Sequence, residues 1–129
     1  MMKSPISRMG GKSKLRSKII ELFPEHKCYV EVFFGAGWVY FGKDKSKCEV
    51  INDKDKELIN LFKIIKHHNE EFERLLQYEI SSRDIFFDYR NDSYDKLTDI
   101  QRAVRFMYII SQSFASKGDT YGYATSKGP

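Results

Sequence analysis

The chain has 129 residues, with 22 basic against 18 acidic side chains, 41% hydrophobic residues and 15% aromatic ones. Ten Phe and eight Tyr are too much buriable material for a disordered chain, and no apolar run reaches the ~18 residues a membrane helix needs, so a soluble domain is expected. With no charged-then-apolar leader and with Cys28 and Cys48 forming no CxxC pair or disulfide framework, the expected compartment is the cytoplasm. The three histidines include the adjacent His67 and His68 but show no ligand spacing, so no metal site is expected.

The net charge of +4 is uneven. Residues 1–27 hold seven basic side chains against Glu21 and Glu25, an excess of five, which leaves residues 28–129 at −1. A basic leading segment suits an anionic partner, a phosphate backbone or a ligand carboxylate; the plainer reading is one solvated helix face.

In chain order, Leu15, Ile19, Ile20, Leu22 and Phe23 recur at helical spacing and Pro24 stops them, which predicts a short helix within 14–23. Tyr29 to Phe34 is β-branched and aromatic and runs into Gly35-Ala36-Gly37, a strand entering a tight turn. Trp38 to Phe41 reads as a helical turn or two closed by Gly42, and Cys48 to Asp53 as a second strand ending in a polar pair. Leu58, Ile59, Leu61, Phe62 and Ile65 then mark an amphipathic helix, and Phe72, Leu75 and Leu76 another. Thr98-Asp99-Ile100-Gln101 has the form of a capping box, ahead of a helical face built from Ile100, Ala103, Val104, Met107 and Ile110. The tail from Ser113 to Pro129, rich in Gly, Ser, Thr and Tyr, reads as a loop or hairpin.

A strand, a glycine turn, a short helix and a second strand ending in an acid form half of a nucleotide-binding α/β unit. Gly35 and Gly37 permit the turn and the approach of a ligand, and Asp53, 16 residues after Gly37, stands where a carboxylate accepts both hydroxyls of a ribose. The dinucleotide fingerprint is broken, because its third glycine position holds Tyr40. A Walker loop at Gly11-Lys12-Ser13 also fails, because its first glycine position holds Ile6. A cofactor with a ribose and no phosphate fits better. S-adenosylmethionine is the common one, and its carboxylate suits a basic glycine turn such as Gly10-Gly11-Lys12.

Three segments in this order, Ser4-Pro5-Ile6-Ser7-Arg8-Met9-Gly10-Gly11-Lys12, then Tyr29-Val30-Glu31-Val32-Phe33-Phe34-Gly35-Ala36-Gly37, then Ile51-Asn52-Asp53, resemble the Dam-type N6-adenine DNA methyltransferases, in particular the phage and prophage group. The resemblance covers essentially the whole chain, since 100–123 looks like the end of that family's DNA-recognition region. It implies an α/β fold: a partial Rossmann-like methyltransferase domain over residues 1–54, followed by a helical target-recognition region over 55–129. It places Gly11 and Lys12 near the methionine end of S-adenosylmethionine, lines the pocket with Glu31, Phe33, Gly35 and Gly37, and gives Asp53 the ribose. The implied partner is double-stranded DNA. Tyr121 and Tyr123, with Ser116, Lys117 and Lys127 around them, are the candidates for stacking on bases and meeting phosphates, with a plain glycine-rich loop as the other reading. The sequence departs from the family at Val32, where proline is common, at Trp38, where a small residue often stands, and at Arg8, where some members carry Trp.

The family methylates adenine with an Asp-Pro-Pro-Tyr motif at the end of a later strand, which accepts the amino hydrogens of a base flipped from the duplex. These 129 residues contain no Pro-Pro pair, so no catalytic residue is assigned. The expectation is a fragment or remnant of an adenine-specific methyltransferase, inactive alone. A non-catalytic DNA-binding or assembly remnant is the alternative. The resemblance also implies a first strand with an unpaired edge, and hence marginal stability or self-association.

Overall fold

The computed structural model describes residues 2–6, 12–113 and 121–122. Within them the chain is mixed α/β, with two strands and six helices. It divides into two compact units, Met1–Lys56 and Glu57–Pro129.

The first unit holds α1 (Arg16–Glu21), β1 (Cys28–Glu31), α2 (Trp38–Gly42) and β2 (Cys48–Ile51). The strands pair in parallel and in register, Cys28 opposite Cys48 and Glu31 opposite Ile51. Both are shorter than the sequence predicts. After Glu31 the chain bends toward the glycine turn, although Asn52 N–H still donates to Glu31 O at 2.8 Å and Phe34 N–H to Asn52 O at 2.9 Å. The bend ends at Gly37, which has φ +76° and caps the amino end of α2. An added Cβ there would lie 2.5 Å from Phe34 Cζ and 2.9 Å from Phe41 Cε2, so the close packing of two phenyl rings requires glycine. Phe34, Ala36 and Val39 form the buried centre of this unit. Helices α1 and α2 pack together, and the Arg16 guanidinium lies 5.3 Å from the Trp38 ring centroid.

The strand faces are unequal. Tyr29 and Glu31 point inward while Val30, on the other face, is 57% exposed and its partner Val50 is 46% exposed. The inward face carries the carboxylates. Glu49 of β2 pairs with Lys43, whose ammonium is buried over the Tyr29 ring at 4.3 Å. Burial alone would raise the Glu49 carboxyl; hydrogen bonds from Lys43, the Ser46 N–H and Tyr40 outweigh it and hold that pKa below the ordinary carboxylate value.

The second unit is helical: α3 (Lys56–His67), α4 (Asn69–Leu76), α5 (Arg83–Asn91) and α6 (Asp99–Gln112). The capping box at the start of α6 is formed, Thr98 Oγ1 accepting from Gln101 N–H and Gln101 Oε1 from Thr98 N–H. Helix α6 is the axis of the unit, burying Ala103, Val104, Phe106, Tyr108, Ile109 and Ile110 and packing on α4 and α5. Its Arg102 pairs with Glu57 at the start of α3. Helix α5 is a finding beyond the sequence reading. Its signals are an N-cap, Ser82, whose hydroxyl accepts from Ile85 N–H, and the apolar spacing Ile85, Phe86, Tyr89. Tyr108 anchors its approach, donating to Ile80 O at 2.8 Å and accepting from Ser82 N–H at 3.0 Å. After α6, Ser113 makes an antiparallel bridge to Tyr121, as a hairpin-like return requires. No helix among the described residues is long and apolar enough to cross a membrane.

Candidate functional site

The two places on which the sequence reading depends, the bend after β1 and the acid after β2, meet in the first unit. Gly35 N–H donates to Asp53 Oδ2 at 2.9 Å, and Asp55 N–H donates to Asp53 Oδ1 at 3.0 Å. Parallel pairing brings the carboxyl ends of β1 and β2 side by side, and the backbone bonds through Asn52 carry that alignment past the strands. The two N–H groups fix the orientation of the Asp53 carboxylate. Gly35 has φ +55°, and among the described residues an added Cβ would meet no atom within 4 Å. Gly37 differs, being buried against phenyl rings and supporting the turn from below.

Lys12 supplies the positive charge. Its ammonium donates to Glu31 Oε1 and to Phe33 O, both at 2.9 Å. Two of its three N–H donors are taken by these acceptors. Glu31 is 6% exposed, and its other oxygen accepts from Tyr29 O–H at 2.8 Å. Burial, followed by that bond to Glu31, pushes the Tyr29 hydroxyl well above its ordinary pKa, so the phenol stays a donor. Glu31 thus acts as a buried counter-charge that fixes Lys12 at the end of β1. Phe33 enters through its backbone carbonyl, while its ring is 79% exposed.

Hydrogen bonds thus link Lys12 to Glu31 and Phe33, and separately Gly35 to Asp53, around the loop that follows β1, and Gly37 lies at the far end of that loop. Gly11 lies outside the described residues. Sequence reasoning missed three supports. Ser4 hydroxyl donates to Ala36 O inside the turn and accepts from Ile6 N–H, tying the amino-terminal arm to it. Asn52 Nδ2 donates to Val32 O at 3.0 Å, and Tyr29 holds Glu31. Tyr29 was legible, since two residues along a strand return to the same face. Ser4 was not, because the contact spans 32 residues.

Of the residues expected to meet DNA, Ser116, Lys117, Tyr123 and Lys127 lie outside the described residues. Tyr121 is half-buried, its ring edge-on to Phe86 at 5.6 Å and its hydroxyl 3.4 Å from Ser81 Oγ. A cavity of about 750 Å³ opens elsewhere in the first unit, at the amino ends of the strands, lined by Phe23, His26, Lys27, Lys43 and Lys47 among others. None of the described residues among the expected cofactor set lines it.

Residues 9–117 match the D12 class of N6 adenine-specific DNA methyltransferases. The chain belongs to that family. It is 33% identical over 112 residues to the type II methyltransferase M1.LlaDCHI of Lactococcus lactis subsp. cremoris, covering 81% of this chain and 39% of that protein. It is 30% identical over 104 residues to the DNA adenine methylase of Escherichia coli, covering 78% of this chain and 37% of the relative. A DNA adenine methylase of Haemophilus influenzae is 40% identical over 58 residues, 44% of this chain and 20% of its own length. The chain thus spans about two fifths of the length of the first two relatives. D12 membership carries S-adenosylmethionine as the family's cofactor and a Rossmann-like fold, of which the β1–α2–β2 unit is the part described.

Proposed function

We propose that this chain is the cofactor-binding part of an adenine-specific DNA methyltransferase, joined to helices that serve target recognition. One observation carries the reading: the hydrogen bond from Gly35 N–H to Asp53 Oδ2, which puts a glycine backbone beside a fixed carboxylate at the carboxyl ends of two parallel strands.

The donor set fits S-adenosylmethionine. Asp53 would accept the ribose hydroxyls. The Lys12 ammonium, held by Glu31, would meet the methionine carboxylate, with Gly11 beside it in sequence. Gly35 would let the nucleoside approach the backbone, and the exposed Phe33 ring offers an apolar face next to it. When bound, the cofactor supplies an electrophilic methyl group on a sulfonium centre. The chain's own residues bind and orient. The 129 residues contain no Pro-Pro pair with which to build the family's motif. We therefore assign the chain binding of cofactor and duplex DNA, and no methyl transfer by residues 1–129 alone.

Calorimetric titration tests the reading. S-adenosylmethionine should bind residues 1–129, and Asp53→Ala should weaken it at least tenfold with the far-UV circular dichroism unchanged. Binding of NAD in its place would overturn the assignment. Incubation with radiolabelled cofactor and duplex DNA should leave the DNA unlabelled. The missing proline pair equally favours a non-catalytic DNA-binding module; that reading requires DNA retention without any cofactor affinity. In either case the exposed Val30 and Val50 face and the edge of β1, which no described strand pairs, make self-association the expected state in solution.

A further inference from the structure

The in-register pairing of β1 with β2 sets Cys28 directly opposite Cys48 at the amino ends of the strands, away from the site at their carboxyl ends. Both side chains are exposed, and the register places the two residues face to face across the pair of strands. Neighbouring strands lie about 4.8 Å apart, inside the roughly 4.4–6.8 Å Cα separation that a disulfide spans. The twenty-residue spacing in sequence conceals the pair, which no CxxC motif announces.

We propose that Cys28 and Cys48 form a dithiol–disulfide site, oxidised by a small-molecule disulfide of the glutathione type to a covalent staple across the start of the parallel pair. The exchange balances without a metal or flavin. One cysteine thiolate attacks a sulfur of glutathione disulfide, forming a mixed disulfide and releasing one glutathione. The second cysteine thiolate then attacks the protein sulfur of that mixed disulfide, closing the Cys28–Cys48 bond and releasing the second glutathione. Two electrons pass from the cysteine pair to glutathione disulfide, and the two thiol protons end on the two glutathiones.

Two observations favour the closed form over two separate adducts. The partner thiol belongs to the residue directly opposite across the paired strands, so the second step is intramolecular. The sheet gains most where it is weakest: among the described residues it has two strands of four residues each, so a cross-link at one end limits fraying and register slip.

Purified residues 1–129, equilibrated in glutathione buffers of graded ratio, acid-quenched and alkylated, test the site without reference to cofactor. Both thiols should disappear together at one midpoint, with the mass falling by two hydrogens, migration remaining that of a single chain, and the Tm rising. Cys28→Ser should instead accumulate a stable glutathione adduct on Cys48 and show no rise in Tm. Independent glutathione adducts on both cysteines, a disulfide-linked dimer, or two thiols that stay alkylatable in the most oxidising buffer would each overturn the proposal.

Discussion

Gly35 and Gly37 stand two residues apart, both with positive φ, and are glycine for different physical reasons. At Gly35 a side chain would meet no described atom within 4 Å, so Gly35→Ala carries the left-handed backbone penalty, about 1–2 kcal/mol. At Gly37 the same penalty adds to a collision with Phe34 and Phe41, and Gly37→Ala should cost about 3 kcal/mol or more. Urea denaturation of the two variants checks this, and equal losses would contradict the distinction. For the cofactor the ranking reverses. Gly35 is the residue whose N–H holds the Asp53 carboxylate, so Gly35→Ala should weaken S-adenosylmethionine, whereas a folded Gly37 variant should retain more of its affinity. The sequence displayed both glycines and Asp53 but gave them one common role. It could not separate a ligand-facing glycine from a ring-facing one, because the Phe34 ring that decides the matter reaches Gly37 by a bend of the backbone.

Among the elements, α6 was the most legible and α5 the least. Thr98 and Gln101 encode the start of α6 in four consecutive residues, so the information is local. Thr98→Ala should cost about 1 kcal/mol, read as a lowered Tm, since the hydroxyl satisfies an otherwise orphaned N–H. Helix α5 has a serine cap and only a short apolar face, and part of what holds it comes from outside its own residues, through Tyr108 at its entry and Glu79, which accepts from Tyr89 near its end. Burial, with the hydrogen bond to Glu79 second, pushes the Tyr89 hydroxyl up to about 12. The folded state therefore keeps its proton more strongly than the unfolded chain, whose tyrosines titrate near 10. The contribution of this bond is full below about pH 10 and is lost as pH rises toward 12. Alkaline unfolding followed by circular dichroism should show that loss, and Tyr89→Phe should flatten it.

At the scale of the molecule, the sheet of the first unit has its charges inside and its valines outside. Glu31 and Glu49 face inward with Lys12 and Lys43, while Val30 and Val50 lie paired on the exposed face. A two-stranded sheet meant to face water has the opposite pattern, and parallel sheets are normally covered on both faces. Sedimentation velocity should accordingly show association that grows with concentration, and Val30→Lys with Val50→Lys should shift it toward monomer. A wild-type chain that stays monomeric at high concentration would count against this.

The sequence by itself determined the order of elements in the first unit, the α6 cap, the family, and the residue types at the carboxyl ends of the strands. All of these rest on local spacing or on short runs of adjacent residues. Only the tertiary structure decided that Asp53 receives the Gly35 N–H, that Glu31 is a buried counter-charge for Lys12, that Gly37 serves phenyl packing, and that two cysteines twenty residues apart stand opposite each other. Each of those depends on strand register and on the bend that follows it. Register arises from cooperative pairing of distant segments, so no window of sequence contains it.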